Sequence, residues 1–555
     1  MERDEEAGPV RSLSRQRESG ATFAPIRSNG SHMVPPPSRG SGSIGSRGIA
    51  RIRSQNGYSV DDEGENKAEL AGASGESSPG SGEKDLFEVG WDGGDNDPLC
   101  PRSFNLVRKW IIVAIVSNCS FCVTGASSIY TATYEQMEAQ FGNSRIVSIL
   151  GLSTFVLGIA LGPMFFSPLS EFYGRRPIYL VSWTLYVIWI IPQAVARNVA
   201  TIIVGRFLDG FAGSTFLAVS GGTVGDLFTK EELQYPMAIF SLSPFIGPCI
   251  GPILGGFINY NVSWRWTYYV LLIWGGVLLA AIIFLVPETY HPMVLKHKAQ
   301  KLRKETGEDR WRAPAEKIDK SVIGAVGRSL MRPFQLLFFE LMCLQLCIFS
   351  AILLGILYLF FGAFPLVFRT NHGFNLWQVG LTFTGMFVGL VVGILTDPVW
   401  HRIRDRLMHR LEKETGVPGA SEPEFRLPPA ICGAVLVPIG IFWFGWSTYA
   451  SVHWIVPIIG SAIFGMGNIL VFTGIFTFLV DAYPQYAASA LAANAFVRCT
   501  FAAAFPLFGN QMYQKLGYQW ASSLLAFLTI AMLPFPYIFF KYGKKIRARS
   551  KFARN

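Results

Sequence analysis

The sequence predicts an all-α membrane protein, with twelve transmembrane helices arranged as two pseudo-symmetric six-helix halves. Three observations predict it. First, 50% of the 555 residues are hydrophobic and only 15% are charged, whereas a soluble globular chain carries about 25% charge. The mean hydropathy of +0.33 agrees. Second, twelve apolar runs are long enough to cross a hydrocarbon core, which needs about 20 residues per helix. Third, a long basic stretch separates six of these runs from the other six.

Residues 1–103 precede the first run. They are rich in Ser, Gly and Pro, with Pro35-Pro36-Pro37 and Ser77-Ser78-Pro79-Gly80-Ser81 as examples, and lack aliphatic periodicity. Such a segment buries too little apolar surface to offset its chain entropy, so a disordered cytoplasmic tail is expected. No apolar stretch of the signal-peptide type follows Met1. The first half, 104–288, holds runs near 107–131, 146–168, 177–196, 199–223, 233–258 and 267–287. A basic central loop, 289–334, follows. The second half, 335–541, holds runs near 335–366, 376–397, 430–447, 453–479, 487–509 and 519–541, and a basic tail, 542–555, closes the chain. The seventh run is long enough to tilt or to extend past the lipid.

The charge distribution orients these runs. Residues 1–100 hold 11 Lys+Arg against 17 Asp+Glu, so the positive charge of the chain, +10 overall, resides in residues 101–555. The loop after the sixth run has 11 Lys+Arg, that after the eighth (397–428) has 6, and the end of the chain from Lys541 has 7. The opposite loops offer Arg145, Arg197, Arg265, Arg369 and Lys515, one apiece. Cations collect on the cytoplasmic side of membrane proteins, so both termini are expected there. This placement reads as membrane orientation, not as nucleic-acid binding. The eight cysteines follow no metal-ligand spacing and read as small apolar fillers, with no metal site and no cofactor expected.

An internal repeat supports two halves. Gly205, Gly210 and Asp226 of the fourth run are matched by Gly460, Gly465 and Asp481 of the tenth, each pair 255 positions apart. The second and eighth runs open alike, Gly151-Leu152-Ser153 and Gly380-Leu381-Thr382, and end at Glu171 and Asp397. Duplicated halves with a site between them at mid-membrane form a transporter architecture.

Three motifs bear on mechanism. Between the second and third runs lies Ser167-Pro168-Leu169-Ser170-Glu171-Phe172-Tyr173-Gly174-Arg175-Arg176-Pro177. Gly174 permits a tight turn, and Glu171 can pair with an Arg or cap a helix end. Arg175 and Arg176 are placed to reach carboxylates of the other half, a breakable gate, or else serve only to fix orientation. In the fourth run, Arg206 lies about 10 Å inside the membrane if the helix starts near Val199. A cation there needs a partner or a wet cavity. Asp209 is the candidate partner on the same face, so the pair is either a proton-coupling element or a static ion pair. The fifth run reads Gly247-Pro248-Cys249-Ile250-Gly251-Pro252-Ile253-Leu254-Gly255-Gly256. Its small residues four apart make a flat packing stripe, and its prolines bend the helix.

These motifs resemble the major facilitator superfamily. The second-to-third loop matches its G-x-L-a-D-r-x-G-R-[KR] signature, with Ser167 in place of the first Gly and Glu171 in place of Asp. Arg206 to Gly210 resembles its R-x-x-x-G motif, and Gly247 to Gly256 its antiporter motif. The likeness narrows to the fungal twelve-spanner drug:proton antiporters over about residues 97–541. It rests on Asp97-Pro98, Gly221-Gly222-Thr223-Val224-Gly225-Asp226, Trp264-Arg265-Trp266-Thr267, Tyr358-Leu359-Phe360-Phe361 and Asp481-Ala482-Tyr483. The resemblance implies proton-driven export of amphipathic drugs, toxins or secondary metabolites, with Gly247, Pro248, Gly251, Pro252, Gly255 and Gly256 enforcing exchange.

Asn118, Gln345, Tyr358, Asn468, Asn494 and Arg498 are polar groups inside the runs, and each either lines a substrate cavity or forms an interhelical hydrogen bond. Glu340 either carries protons from a buried position or snorkels to the interface. Of three Asn-x-Ser/Thr sequons, at Asn29, Asn118 and Asn261, only Asn261 is expected to face outward as a glycosylation acceptor. No G-x-S-x-G, H-E-x-x-H or Walker loop is present, which argues against an enzyme or an ATP-driven pump. The expected partners are a small amphipathic substrate, protons and the lipid bilayer, with no nucleic acid and a monomeric chain. The expected site is the plasma membrane, with the vacuolar membrane as alternative. Proton-coupled uptake of a small nutrient or polyamine is the alternative activity.

Overall fold

Where no water can reach the backbone, each membrane-crossing segment must satisfy its own N–H and C=O groups, and a helix does so within itself. The computed structural model describes residues 87–92, 97–229, 232–317, 322–417, 420–548, 550 and 552–553. The sequon at Asn29 and the expected disordered tail up to residue 86 lie outside these residues. Among the described residues, twelve helices are long and apolar enough to cross a membrane. We label the first six α1 (Leu106–Phe141), α2 (Arg145–Tyr173), α3 (Arg175–Ala194), α4 (Val199–Leu227), α5 (Tyr235–Asn261) and α6 (Arg265–Leu285). The second six are α7 (Leu341–His372), α8 (Leu376–Leu395), α9 (Pro428–Trp446), α10 (Ile455–Ala482), α11 (Ala487–Leu516) and α12 (Tyr518–Arg547). We call the end of the bundle where α1 begins and α12 ends the basic face, and the other end the far face.

The two halves repeat the same packing. In the first, a Cβ on Gly158 would lie 2.4 Å from Phe207 O, and one on Gly210 would lie 2.2 Å from Phe155 O, so α2 and α4 touch backbone to backbone. In the second, a Cβ on Gly389 would lie 1.9 Å from Ala462 O and one on Gly465 2.6 Å from Met386 O, the same arrangement between α8 and α10. The 255-residue offset between α4 and α10 therefore carries spatial meaning. The match between Gly151-Leu152-Ser153 and Gly380-Leu381-Thr382 does not. Gly151 faces Tyr130 of α1, whereas Gly380 faces Pro252 of α5. The α2–α8 correspondence instead runs from Gly158 to Gly389 and from Gly162 to Gly393, two residues out of step with the sequence match. On a helix two residues amount to about 200° of rotation, enough to point a side chain at the wrong neighbour.

The structure departs from the sequence reading in two further places. The long seventh run is two helices, Val322–Phe339 and α7, broken at Glu340, whose φ of -116° and ψ of 97° are extended. The first of these helices packs against both α2 and α11 and projects Phe338 and Phe339 outward, as suits an interfacial helix. The end of the stretch read as a tail, in its described residues 87–92 and 97–103, is packed. Val89 joins Ala299 and Ala313 in a small core with Leu295, Leu302 and Trp311. Val89 N–H donates to Arg312 O at 3.0 Å, and Arg312 N–H donates to Phe87 O at 3.0 Å. From the helix His291–Thr306, Lys298 Nζ donates to Asp92 and Asp97, both at 2.7 Å, and to Gly90 O at 3.0 Å.

Burial acts upward on the Asp97 carboxyl, but the Lys298 ammonium and the N–H groups of Leu99 and Asp92 outweigh it and hold it below its ordinary value. A depressed carboxyl contributes stability above its ordinary pKa and loses it as the pH falls through the lowered value, so docking persists down to about pH 4 and weakens below. Lys298→Ala is expected to expose residues 87–92 to limited proteolysis at neutral pH, with wild type becoming equally sensitive only in acid.

Candidate transport pathway between the halves

Arg206 is fully buried in α4. Its guanidinium donates to Ala126 O at 3.0 Å, Ser127 O at 3.4 Å and Gly151 O at 3.3 Å. It also stacks over the rings of Phe155 at 4.0 Å and Tyr130 at 4.6 Å. Those α1 carbonyls are available for a physical reason. The regular α-helix ends at Ile129 and passes into a 3-10 turn, Tyr130–Thr133, and the last carbonyls of a helix lack i+4 donors. The expected pairing with Asp209 does not form: no Arg206–Asp209 ion pair lies within 4 Å among the described residues. Three residues along a helix leave about 60° between side chains. Arg206 accordingly leans toward α1 and α2, while Asp209 leans toward α3 and accepts from Gln193 Nε2 at 2.9 Å. Asp209 Oδ1 is buried without a hydrogen-bond partner.

The loop between α2 and α3 forms a second centre, at the basic face. Gly174 has φ 95°, and a Cβ there would lie 2.3 Å from Glu288 Oε2. Glu288 therefore sits directly against the start of α3, where it accepts the N–H groups of Arg175 at 2.9 Å and Arg176 at 3.1 Å. It also accepts Thr289 N–H at 3.0 Å and Tyr290 N–H at 2.9 Å. Arg175, 2% exposed, reaches Asp226 Oδ2 at 3.3 Å and Ser170 Oγ at 2.7 Å and lies over Tyr290 at 4.8 Å. Arg176 donates to Ile283 O. Glu171 acts electrostatically on Arg175. The expectation that these arginines reach the other half is corrected, because Asp226 closes α4 and Glu288 follows α6, both in their own half. Asp226 stands among the sequence motifs as a repeat marker, without a charge pattern naming its partner, and Glu288 lies just past the sixth run. The second half echoes the arrangement: Arg426, before α9, pairs with Asp481 of α10 at 2.7 Å.

The fifth helix lies between two neighbours. Gly247, Gly251 and Gly255 face α1, where added Cβ atoms would lie 2.0 Å from Thr124 Oγ1, 1.9 Å from Ser128 Oγ and 2.7 Å from Ile129 O. On the other side Gly256 lies against Leu376 O, and Pro252 O approaches Gly380, both of α8 in the second half. Pro244, Pro248 and Pro252 all sit inside the helix.

Further contacts join the halves. Ser127 Oγ and Tyr358 Oη are 2.9 Å apart, Ser153 Oγ donates to Ala503 O at 2.6 Å, and Phe257 stacks on Trp377 at 5.7 Å. An Arg369–Glu135 ion pair links α7 to α1 at the far face. Phe245 and Phe472, 5.1 Å apart, bring α5 to α10 near mid-membrane. Of the expected cavity residues, Tyr358 is thus at the interface. Asn494 donates to Ser350 Oγ at 2.6 Å, and Asn468 is fully buried with neither amide atom partnered. Arg498 lies over Phe472 and Phe476. Gln345 is half-buried in α7, and Asn118 is exposed on α1 away from these groups. Glu340 is buried, accepting from Ser550 Oγ at 2.7 Å and Tyr483 Oη at 3.3 Å, so it does not snorkel. Asn261 is exposed at the far end of α5.

Residues 116–506 match the family model described as Major Facilitator Superfamily. The chain belongs to that superfamily. It is therefore a membrane transporter and not an enzyme. It is 56% identical over 460 residues to "Efflux pump atB" of Aspergillus terreus, an alignment covering 83% of this chain and 89% of that protein. It is 43% identical over 454 residues to "Probable drug/proton antiporter YHK8" of Saccharomyces cerevisiae, covering 81% and 87%. The xylose transporter XylE of E. coli, in a partially occluded inward open conformation, has the same fold with a TM-score of 0.54 at 15% identity, covering 79% of this chain and 98% of that one.

Three outcomes test this superfamily geometry. Gly251→Ala places a methyl against the α1 backbone and is expected to lower the melting temperature of the purified transporter by several degrees. Gly276→Ala, whose added Cβ meets nothing within 4 Å, leaves it unchanged or slightly raised. Asp226→Asn removes the partner of a buried arginine, and losses of about 3–5 kcal/mol accompany such a break. Thermal unfolding of this variant checks it.

Proposed function

We propose that this chain is an efflux transporter of the plasma membrane that exports amphipathic compounds in exchange for protons, by alternating access of one site between its halves. The observation that carries the reading is the seating of α5. Its glycine stripe is locked onto α1, and its opposite side touches α8 of the other half, so the halves rock against a helix that leaves little room for a leak. The names of the two similar fungal proteins, an efflux pump and a probable drug/proton antiporter, support the same direction. The loops and tail with 11, 6 and 7 Lys+Arg support a cytoplasmic basic face, with both termini on that side. Asn261 then faces outward as a glycan acceptor. The Arg369–Glu135, Ser153–Ala503 and Phe257–Trp377 contacts close the outward side in this conformation.

Proton coupling falls to Asp209, with Arg206 setting its field. A buried carboxyl with one oxygen unpartnered, three residues from a fixed cation, gains or loses a proton with little rearrangement. The groups around Glu171, Gly174, Arg175 and Arg176 hold α2, α3, α4 and α6 together as the half moves. The chain works as a monomer, since both walls of the pathway belong to it.

Pump-deficient yeast expressing the chain is expected to retain less of a fluorescent amphipathic dye than control cells, and a protonophore is expected to abolish the difference. Asp209→Asn abolishes proton-driven efflux while leaving dye binding intact. Higher retention would favour uptake, and efflux insensitive to the protonophore would remove the coupling assignment.

A further inference from the structure

Arg498 is a cation inside the membrane without a counter-charge. It stands twelve residues into α11, partly exposed, in a half whose membrane helices carry no Asp or Glu between Glu340 and Asp481 apart from the loop after α8. Glu340 is engaged by Ser550 and Tyr483, and Asp481 by Arg426. Among the described residues no carboxylate lies within 4 Å of the Arg498 guanidinium, and its buried Nε has no hydrogen-bond partner. What the structure sets against it is the thiol of Cys499 and two ring faces, Phe472 at 5.5 Å and Phe476 at 5.1 Å. Arg206, the intramembrane cation of the other half, is unlike it: three carbonyls and two rings enclose that guanidinium completely. A cation inside the membrane with an unfilled donor is costly, and the cost is recovered when an anion enters.

The surroundings are those of a binding site. Phe472 also meets Phe245 of α5 at 5.1 Å, so the cation lies against the interface of the halves, next to the glycine-rich helix. One turn from Phe472 on α10, Asn468 offers both a buried donor and a buried acceptor without partners. One turn from Arg498 on α11, Asn494 keeps its Oδ1 unpartnered while its amide nitrogen is fixed by Ser350. The geometry points to Arg498 as the anion-reading residue of the transported substrate, which is an amphipathic organic acid: its carboxylate on the guanidinium, its apolar body against Phe472 and Phe476, and a hydroxyl or carbonyl on Asn468. The inference rests on the efflux reading for its direction. An inside-negative potential drives a monoanion outward by itself, and inward proton movement adds to that drive.

The test uses the full chain and three matched probes: pyrenebutyrate, its neutral methyl ester, and a cationic pyrenylalkylamine. Binding to the purified protein is read by fluorescence, and export is read in pump-deficient yeast. Wild type is expected to bind and export pyrenebutyrate in preference to the other two. Arg498→Gln is expected to weaken pyrenebutyrate binding roughly 10- to 100-fold, the range for losing a charge-assisted hydrogen bond, with ester binding unchanged. Arg498→Lys, which keeps the charge and guards against a folding defect, retains part of the acid binding. Equal binding of acid and ester by wild type, or equal loss of all three probes in Arg498→Gln, would overturn the assignment. Selective acid binding without export would leave the Arg498 assignment standing and remove the efflux reading instead.

Discussion

Helices in a bilayer gain little from hiding apolar side chains from lipid, so their association depends on how closely two backbones can approach. In this transporter that approach is set by glycine, and much of the remaining structure depends on it. Because Gly247 and Gly251 carry no side chain, α5 lies on α1 closely enough for Ser128 Oγ to donate to Gly247 O at 3.3 Å. That contact fixes the part of α1 where the regular helix gives way to a 3-10 turn. The carbonyls freed at the transition are the ones that hold Arg206. A buried cation in α4 is thus supported, at one remove, by the absence of two methyl groups in α5. The same device recurs wherever the halves repeat, at Gly158 and Gly389 and at Gly210 and Gly465.

The ionic groups at the basic face act within each half. Arg175 with Asp226, and Glu288 with the first N–H groups of α3, bind α2, α3, α4 and α6 into one piece. In the second half Arg426 pairs with Asp481, and Arg547 makes a two-pronged contact with Glu424 at 2.9 Å on each prong. Charge-assisted contacts of this kind resist shear within a half. The contacts across the halves are of another type: single hydroxyls, ring faces and glycine backbones, with one exposed ion pair at the far face. Stiff bodies joined by weaker seams favour rocking of whole halves over bending within them.

Composition and periodicity made the twelve helices legible, because the length of an apolar run answers directly to the thickness of the hydrocarbon. The packing role of the fifth helix was legible for a similar reason: small residues four apart have few other uses. What was illegible concerned direction around a helix axis. Arg206 and Asp209 share a face by spacing, yet they lean toward different neighbours, and only the positions of α1 and α3 decide which. Arg175 and Arg176 need a carboxylate, and a linear sequence does not say that Asp226 and Glu288 stand closer than any acid of the other half. The break at Glu340 was hidden because apolar residues flank it on both sides, so an interfacial helix and a crossing one merge into a single run. The repeat between α2 and α8 misled by two residues because Gly-Leu-Ser and Gly-Leu-Thr are alike by letter while their glycines serve different neighbours.

The two intramembrane arginines put one residue type to opposite uses. Both stand well inside their helices, and both lie over aromatic rings. Arg206 has its donors spread over three backbone carbonyls and no exposed surface, so no mobile group can reach it without first displacing α1 or α2. Its charge is a fixed field, felt by Asp209 and by Tyr358 across the interface. Arg498 also acts on Tyr358 but keeps an accessible side and an unfilled Nε donor. Field and receptor are therefore assigned to different halves, with Tyr358 and Ser127 hydrogen-bonded between them. Rocking the halves changes the distance between the two cations, and with it the mutual repulsion that either a bound anion or a deprotonated Asp209 relieves. On the proposed reading as a proton-coupled exporter of organic acids, that shared repulsion would make substrate and proton compete for one conformational cycle, with no contact between them required.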